Sequence, residues 1–312
     1  MSTAYYSHPQ CRMHEMGPDH PECPQRLDAI ADQLRASGVD VALAFHDDAP
    51  AATLEQLARA HTAGYVSELR DLMAQVEASG RWHAVDPDTR IAPGTWDAAL
   101  RAAGAAVAAT DAVISGRVDN AFCAVRPPGH HATRDATMGF CFFNNVAVAA
   151  RHALDVHGLE RVAIIDFDVH HGNGTEDIIA GDERVLMCSF FQHPLYPYCG
   201  AVPKGTNMVN LPVAPYTRGP ELRALIEANW MPRLDAFRPQ MVFVSAGFDA
   251  HREDELGQLG LVEADYEWIT RRVVDVAARH AGGRIVSCLE GGYALSALGR
   301  SVVTHLRVLA GV

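Results

Sequence analysis

The amino-acid sequence predicts an α/β fold in which a parallel sheet is covered by helices on both faces. Short apolar, β-branched runs such as RVAIIDF at 161–167 alternate with longer amphipathic runs such as PQRLDAIADQLRA at 24–36. Apolar runs without a polar face indicate strands that are buried on both sides. The alternation of such strands with helices is typical of parallel sheets.

The first half of the chain is predicted to form two strands and five helices. Leu27, Ile30 and Leu34 recur at the spacing of one helical face. Pro24 stands at the start of this run and Gly38 beyond its end, as helix boundaries favour. In chain order, the elements are a strand at 4–7, helices at 24–36, 54–60 and 65–78, an Ala-rich helix at 95–115, a strand at 120–125 and a helix at 144–154.

The second half is predicted to form four strands and three helices. In chain order, they are strands at 161–167 and 185–190, a helix at 220–236, a strand at 240–245, a helix at 264–280, a strand at 284–289 and a helix at 295–309. The sequence shows no internal repeat and no linker. Polar residues suited to chemistry follow predicted strands between 126 and 293, where open α/β sheets place their sites. We therefore expect one domain, over 1–312, with one site.

The charge and cysteine content exclude several classes of function. The chain has 26 Lys and Arg residues against 38 Asp and Glu residues, a net charge of −12, which opposes binding to a nucleic-acid backbone. Seven cysteines without a CxxC pair fit neither a disulfide framework nor a zinc ribbon. With no signal peptide and no apolar run of about 18 residues, we expect a cytoplasmic protein without a membrane partner. The oligomeric state, a homo-oligomer included, stays open.

The densest group of polar residues is IIDFDVHHGNG at 164–174. Asp166, Asp168 and His170 alternate along the end of a predicted strand and therefore share one face. Two carboxylates and an imidazole that converge in this way are costly to bury unless a cation compensates their charge. The alternative is a hydrogen-bonded polar network at a glycine-rich turn. We favour the metal site.

A further carboxylate follows another predicted strand. In VFVSAGFDAH at 242–251, the apolar run breaks at Gly247 and presents Asp249. An isolated Asp in this position is more often a turn residue or a helix cap. Beside Asp168 and His170, however, it supplies a third ligand, and the set leaves an open position as a catalytic zinc requires. The alternative is an Fe(II) facial triad, which usually has two histidines and one carboxylate.

Two adjacent histidines follow the predicted strand at 120–125. RPPGHHA contains His130 and His131, and histidine titrates near 6.5, which suits proton transfer at neutral pH. Asp166 and Asn173 are candidates to orient the two rings. In isolation, two loop histidines on the surface are the more frequent explanation of such a motif.

A tyrosine follows the predicted strand at 284–289. In LEGGY, two glycines permit close approach of the backbone, and the Tyr293 hydroxyl can donate to a developing oxyanion. The alternative is a packed ring with its hydroxyl in water.

Taken together, these segments resemble the histone deacetylase family. RPPGHHA, GFCFFNN at 139–145, DFDVHHGNG, SAGFDAH and LEGGY stand in the family order and at family-like spacing, and HPECPQR at 20–26 also matches. The resemblance covers about 5–309. Asn173, where other members have Asp, and the RPPGHHA form point to the class II branch and its bacterial histone deacetylase-like amidohydrolases. The resemblance implies an arginase/deacetylase-type three-layer sandwich with an eight-stranded, mainly parallel sheet.

The resemblance also implies catalytic roles. His131 is expected to act as general base and then as general acid, His130 as its electrostatic partner, and Tyr293 as donor to the substrate carbonyl. Asp166 is expected to pair with His130, and Asn173 to orient His131.

Metal-binding roles follow from the same resemblance. Asp168, His170 and Asp249 are expected to bind one Zn²⁺ per chain, a site in which Fe²⁺ can replace Zn²⁺. The resemblance further implies K⁺, whose expected ligands are oxygens of Asp166, Asp168, His170, Ser189 and Phe190.

The residues expected to contact substrate and product lie in several segments. Phe140 resembles one wall of an acyl-lysine tunnel, and Tyr196 is the candidate for the other wall. Arg26 resembles an arginine that lines an internal acetate channel. Leu256 occupies the gate position, where family members that prefer polyamines have Glu.

These residues imply a metal-dependent amidohydrolase, with two substrate classes open. The first is acyl-lysine in proteins or peptides, and the second is acetylpolyamines or another small acylated amine. Leu256 favours the first, whereas Glu255 leaves an acidic mouth open. A catalytically silent binding module is disfavoured because each expected ligand and Tyr293 are present.

Overall fold

An eight-stranded, all-parallel sheet lies at the centre of the protein, as seen in a computed structural model that describes residues 2–312. A separate antiparallel pair of two-residue strands lies apart from the sheet. The long helices form two layers, each of helices that contact one another. This arrangement confirms the predicted three-layer α/β fold.

The strands are β1 Thr3–Tyr6, β2 Leu43–His46, β3 His83–Ala84, β4 Arg90–Ile91, β5 Asn120–Cys123, β6 Val162–Asp166, β7 Val185–Gln192, β8 Met208–Val213, β9 Met241–Ala246 and β10 Ile285–Leu289. The α-helices are α1 Gln25–Ser37, α2 Leu54–Leu57, α3 Ala63–Ser79, α4 Thr95–Ile114, α5 Asn145–Asp155, α6 Asn173–Ile179, α7 Gly219–Phe237, α8 Glu263–His280 and α9 Leu295–Ala310. Two 3₁₀ helices span Pro9–Arg12 and Val39–Ala42.

In the sheet, the strands run in the order β2-β1-β5-β10-β9-β6-β7-β8, and β3 and β4 form the separate pair. Helices α1, α7, α8 and α9 form one layer, and α4 and α5 contact one another in the other layer.

The local pattern predicted the six interior strands and missed both edge strands. β2 is only partly buried, with Phe45 52% exposed, so it lacks the apolar signal of a central strand. β8 alternates between buried and open positions and contains Pro212, which sheets tolerate at an edge. The helix predicted at 54–60 is a single turn, and the short helix α6 was not predicted.

The sheet brings four chemical segments to one edge. RPPGHHA follows β5, LEGGY follows β10, GFD follows β9 and FDVHH follows β6, and these four strands are neighbours in that order. All four strands are buried along their length. Because parallel strands end at the same edge, the polar residues that follow them converge.

The remaining global features concern the cysteines and the helices. All seven cysteines are free thiols, and only Cys199 is exposed. Over residues 2–312, none of the helices combines the length and apolar character needed to cross a membrane.

Candidate active site

Asp168, His170 and Asp249 converge where β6 and β9 end. Nδ1 of His170 lies 3.1 Å from Oδ1 of Asp168 and 3.1 Å from Oδ2 of Asp249. Both carboxylates are fully buried, and the imidazole is largely buried. A tetrahedral cation with ligand distances of about 2.0–2.1 Å holds its ligand atoms about 3.3 Å apart. The spacing of these three donors therefore fits a single small cation.

Backbone donors and glycines hold the two carboxylates in place. Oδ2 of Asp168 accepts from the Gly291 N–H at 2.9 Å, and Oδ1 of Asp249 accepts from the Val169 N–H at 2.8 Å. A Cβ at Gly291 would lie 2.1 Å from Oδ2 of Asp249, and one at Gly247 would lie 2.0 Å from Oδ2 of Asp168. Only glycine at these positions lets the backbone approach the carboxylates this closely.

The charges of Asp168, His170 and Asp249 favour a bound cation. Burial lowers the pKa of the His170 imidazole, but hydrogen bonds with Asp168 and Asp249 outweigh it and raise this pKa to about 10. Burial and the negative charge of Asp168 raise the pKa of Asp249 to about 7. In the protein alone, a shared proton thus supplies the positive charge that a metal dication can supply instead.

His130 and His131 have different partners and opposite charge states. Nδ1 of His130 lies 3.0 Å from Oδ2 of Asp166, whereas Nδ1 of His131 lies 2.7 Å from Oδ1 of Asn173. Burial opposes protonation of His130, but the Asp168 and Asp166 carboxylates raise its pKa well above the ordinary value. Burial and the neighbouring His130 and His170 cations lower the pKa of His131 well below the ordinary value.

The Asn173 amide sets the tautomer of His131. Its Nδ2 group donates to the Met138 sulfur at 3.2 Å, which leaves Oδ1 to face the His131 ring. An amide oxygen only accepts, so the facing Nδ1 of His131 carries a proton. Nε2 of His131 is then the basic nitrogen.

Two buried carboxylates that local sequence reasoning missed support this arrangement. Oε2 of Glu290 accepts from the N–H groups of Gly129 and His130 at 2.6 and 3.1 Å, which fixes the histidine segment. Oδ2 of Asp254 accepts from the N–H group of Tyr293 at 2.6 Å, which fixes the tyrosine loop. Glu290 stands inside LEGGY, so the motif itself contained the signal. Asp254 had no comparable local signal.

Arg26 lies behind the Tyr293 loop. Its guanidinium carbon is 5.0 Å from the centre of the Tyr293 ring, and its Nε donates to the Gly292 carbonyl at 2.7 Å. It also pairs with the buried Glu22 at 3.2 Å. These contacts hold the loop from beneath, and the expected acetate channel stays a prediction.

A cavity of about 690 Å³ is lined by His131, His170 and Tyr293. Tyr196 packs edge-on against His131 with ring centres 5.2 Å apart, and Phe140 packs edge-on against Tyr293 at 6.0 Å. Leu256 also lines the cavity, and so do Asp86 and Asp88. The exposed Glu255 does not. The cavity walls are thus largely apolar, with carboxylates among them.

The expected potassium residues surround a buried hydroxyl. Ser189 pairs in register with Asp166 across β7 and β6. Among the described residues, 2–312, the Ser189 hydroxyl has no hydrogen-bond partner although it is buried. Phe190 follows it in the same strand and is also buried. An unpaired buried oxygen beside a carboxylate fits a cation site.

Comparison with known proteins identifies the family. A model of the histone deacetylase domain matches residues 20–309.

The chain belongs to the histone deacetylase family.

Relatives in archaea and bacteria resemble this histone deacetylase family member along nearly its whole length. A probable deacetylase of Archaeoglobus fulgidus is 38% identical, covering 99% of this chain and 86% of that protein. A histone deacetylase-like amidohydrolase of Pseudomonas aeruginosa is 37% identical, covering 93% and 81%. The protein is therefore a hydrolytic deacetylase, similar to the bacterial amidohydrolases.

A solved structure and a human relative extend the comparison. The crystal structure of the HDA15 HD domain matches with a TM-score of 0.91 and 34% identity, covering 99% of this chain and 88% of that chain. This match confirms the arginase/deacetylase-type sandwich. The human polyamine deacetylase HDAC10 is 35% identical, and the match covers 100% of this chain and 48% of that protein.

The close approach of Gly291 to the Asp249 and Asp168 carboxylates predicts that Gly291→Ala weakens metal binding. The new Cβ displaces the Asp249 and Asp168 carboxylates, so we expect metal affinity to fall by about 10–100-fold. Metal content per purified chain and the dissociation constant measure this loss. Gly64→Ala is the matched control, because its Cβ meets nothing within 4 Å. Unchanged metal affinity in Gly291→Ala would contradict the proposed ligand positions.

Proposed function

We propose that this protein is a zinc-dependent amidohydrolase that removes acetyl groups from lysine side chains of proteins or peptides. The observation that carries the proposal is the juxtaposition of two sets of groups in one cavity. Asp168, His170 and Asp249 form a three-donor set with carboxylates and one imidazole. His131, whose pKa is held low, lines the same cavity as His170 and Tyr293.

The donor set fits Zn²⁺ by charge and by spacing. Two carboxylates and an imidazole neutralise a dication and leave one position open, which is the pattern of catalytic zinc sites. When bound, Zn²⁺ supplies a Lewis acid that polarises a substrate carbonyl and lowers the pKa of water. K⁺ is proposed to bind to oxygens of Asp166, Asp168, His170, Ser189 and Phe190. The unpaired Ser189 hydroxyl supports this proposal.

His131 is proposed to move the proton during hydrolysis. Its basic Nε2 accepts a proton from the attacking water and passes it to the nitrogen of the leaving amine. Asn173 fixes the ring by accepting from Nδ1. Burial and the positive charge of His130, which pairs with Asp166, lower the pKa of His131 and keep it neutral before the reaction.

Tyr293 is proposed to stabilise the oxyanion. Burial, with the negative charge of Asp249, raises the pKa of the Tyr293 phenol well above its ordinary value, so the phenol remains a donor. Asp254 and Arg26 hold the loop that carries it. The proposal includes the expected acetate channel beside Arg26.

The proposal also includes a single catalytic domain over 1–312. One domain accounts for a site whose residues lie far apart in the chain.

The gate favours acyl-lysine over polyamines. A lysine side chain is a long apolar stem, which suits a passage lined by Phe140, Tyr196 and Leu256. Leu256 lines the cavity at the gate, and the exposed Glu255 is not part of its lining. An acetylpolyamine carries further ammonium groups, and Leu256 provides no negative charge to pair with them. Asp86 and Asp88 in the cavity wall keep this second substrate class as the alternative.

The first prediction from this proposal is metal dependence. Chelation should abolish deacetylation of an acetyl-lysine peptide, and Zn²⁺ or Co²⁺ should restore it. Asp249→Ala should lower both metal affinity and turnover, since it removes one donor of three. The assay measures acetate release in stripped and reloaded protein. Full activity in a metal-free preparation would disprove the mechanism.

The second prediction concerns Tyr293. Tyr293→Phe should lower kcat on acetyl-lysine by about 10²–10³ and leave KM nearly unchanged, because the lost bond strengthens only in the transition state. A trifluoroacetyl substrate has a more reactive carbonyl and should be affected less. His131→Ala is the comparison and should impair both substrates, since each needs proton transfer. Wild-type kcat in Tyr293→Phe would mean that the ring only packs.

The third prediction concerns Leu256. Leu256→Glu should shift the ratio of kcat/KM values toward acetylspermidine and away from acetyl-lysine peptides, because a carboxylate at the gate pairs with a distal ammonium. Leu256→Gln is the matched uncharged control. A wild-type enzyme that already prefers acetylspermidine would refute the gate argument and favour the alternative substrate class.

A further inference from the structure

A second group of metal-binding side chains lies outside the active site. Oδ1 of Asp111 lies 2.8 Å from Nε2 of His152 and 2.7 Å from Nε2 of His157. One potential ligand atom from each of the three residues lies within 4.8 Å of the other two. No local sequence motif connects the three residues, because 41 and 46 residues separate the histidines from Asp111.

The group lies far from the catalytic edge of the sheet. Asp111 is in the last turns of α4, shortly before β5 begins, and His152 is in the last turn of α5, before β6 begins. These helix ends therefore face the amino edge of the sheet, whereas the active site occupies its carboxyl edge. The group is distinct from the catalytic metal ligands.

We propose that Asp111, His152 and His157 form a second site, which binds a late first-row transition-metal dication. Two imidazoles and one carboxylate are the donors that such ions prefer. A cation about 2.1 Å from three mutually cis donors holds them about 3.0 Å apart. The two measured distances from Asp111 need only a small expansion to reach this spacing.

The chemical environment is consistent with a bound cation. His152 is buried, whereas the side chains of His157 and Asp111 are 26% and 42% exposed, so an ion can enter from solvent. The charge of the carboxylate partly neutralises the ion. The bound ion joins α4, α5 and the segment after α5, which gives it a stabilising role.

Arg59 competes with the ion. Its Nη1 lies 3.4 Å from Nδ1 of His152, and its Nη2 pairs with Glu55 at 2.8 Å. When a metal binds Nε2 of a neutral imidazole, Nδ1 carries the proton and can no longer accept from Arg59. Removing this guanidinium should therefore strengthen metal binding.

The decisive experiment counts ions in the complete protein. Wild-type protein equilibrated with Zn²⁺ or Ni²⁺ and then desalted should retain two ions per chain, and His157→Gln should retain one. His280→Gln is the matched control, because His280 also pairs with a single Asp, Asp235 at 2.8 Å, but without a second histidine. It should keep both ions. Deacetylase activity should be unchanged in His157→Gln.

Two further measurements separate the sites. Asp249→Asn should lose the catalytic ion and keep the second one, and its thermal midpoint should still rise with Ni²⁺ at pH 7.5. That rise should need less Ni²⁺ in an Asp249→Asn/Arg59→Met variant, because the guanidinium no longer faces Nδ1 of His152. Equal metal content in wild type and His157→Gln, or a stabilisation by Ni²⁺ that survives His157→Gln, would overturn the second site without touching the proposed deacetylase function.

Discussion

Buried negative charge is the constraint on which the rest of the structure depends. Four carboxylates are fully buried at the carboxyl edge of the sheet: Asp166, Asp168, Asp249 and Glu290. Leaving such a charge unpaired costs about 3–5 kcal/mol. Backbone N–H groups and the imidazoles of His130 and His170 compensate for these charges, and glycines leave room for the backbone to approach the carboxylates. The low pKa of His131 follows from its burial and from the cations that neutralise the carboxylates, because these cations disfavour a further positive charge beside them.

A second buried charge network connects the amino-terminal segment to this edge. Glu22 is fully buried and pairs with both Arg26 and Arg126. Burial opposes its ionisation, but Arg126 lowers its pKa to about 2. Arg126 also donates to the carbonyls of Cys11 and His14, and it immediately precedes the Pro-Pro-Gly turn that leads to His130 and His131. Arg26 contacts the Tyr293 loop. The Glu22 carboxylate therefore connects the arginine that precedes the histidine segment with the arginine that holds the tyrosine loop.

Local sequence patterns were informative where burial is complete and where chemistry is concentrated. The six interior strands are apolar on both faces and were predicted, whereas β2 and β8 are exposed along one edge and were not. The proposed ligands stand in dense motifs, and the fold brings together the three that were expected. Asp254 was missed because its function depends on a loop 39 residues away. Asp111 was missed for a similar reason, because its partners His152 and His157 belong to another helix and the segment that follows it.

The position of β10 has a consequence for how the chain matures on the ribosome. This strand, which comes late in the sequence, lies between β5 and β9, and within residues 2–312 it connects the two parts of the sheet, β2-β1-β5 and β9-β6-β7-β8. At about 5–20 residues per second, the nascent chain waits about 8–30 s after β5 emerges before β10 follows. Throughout that interval, the open edge of β5 can pair with a neighbouring polypeptide. Late closure of the sheet thus makes newly made chains candidates for chaperone protection.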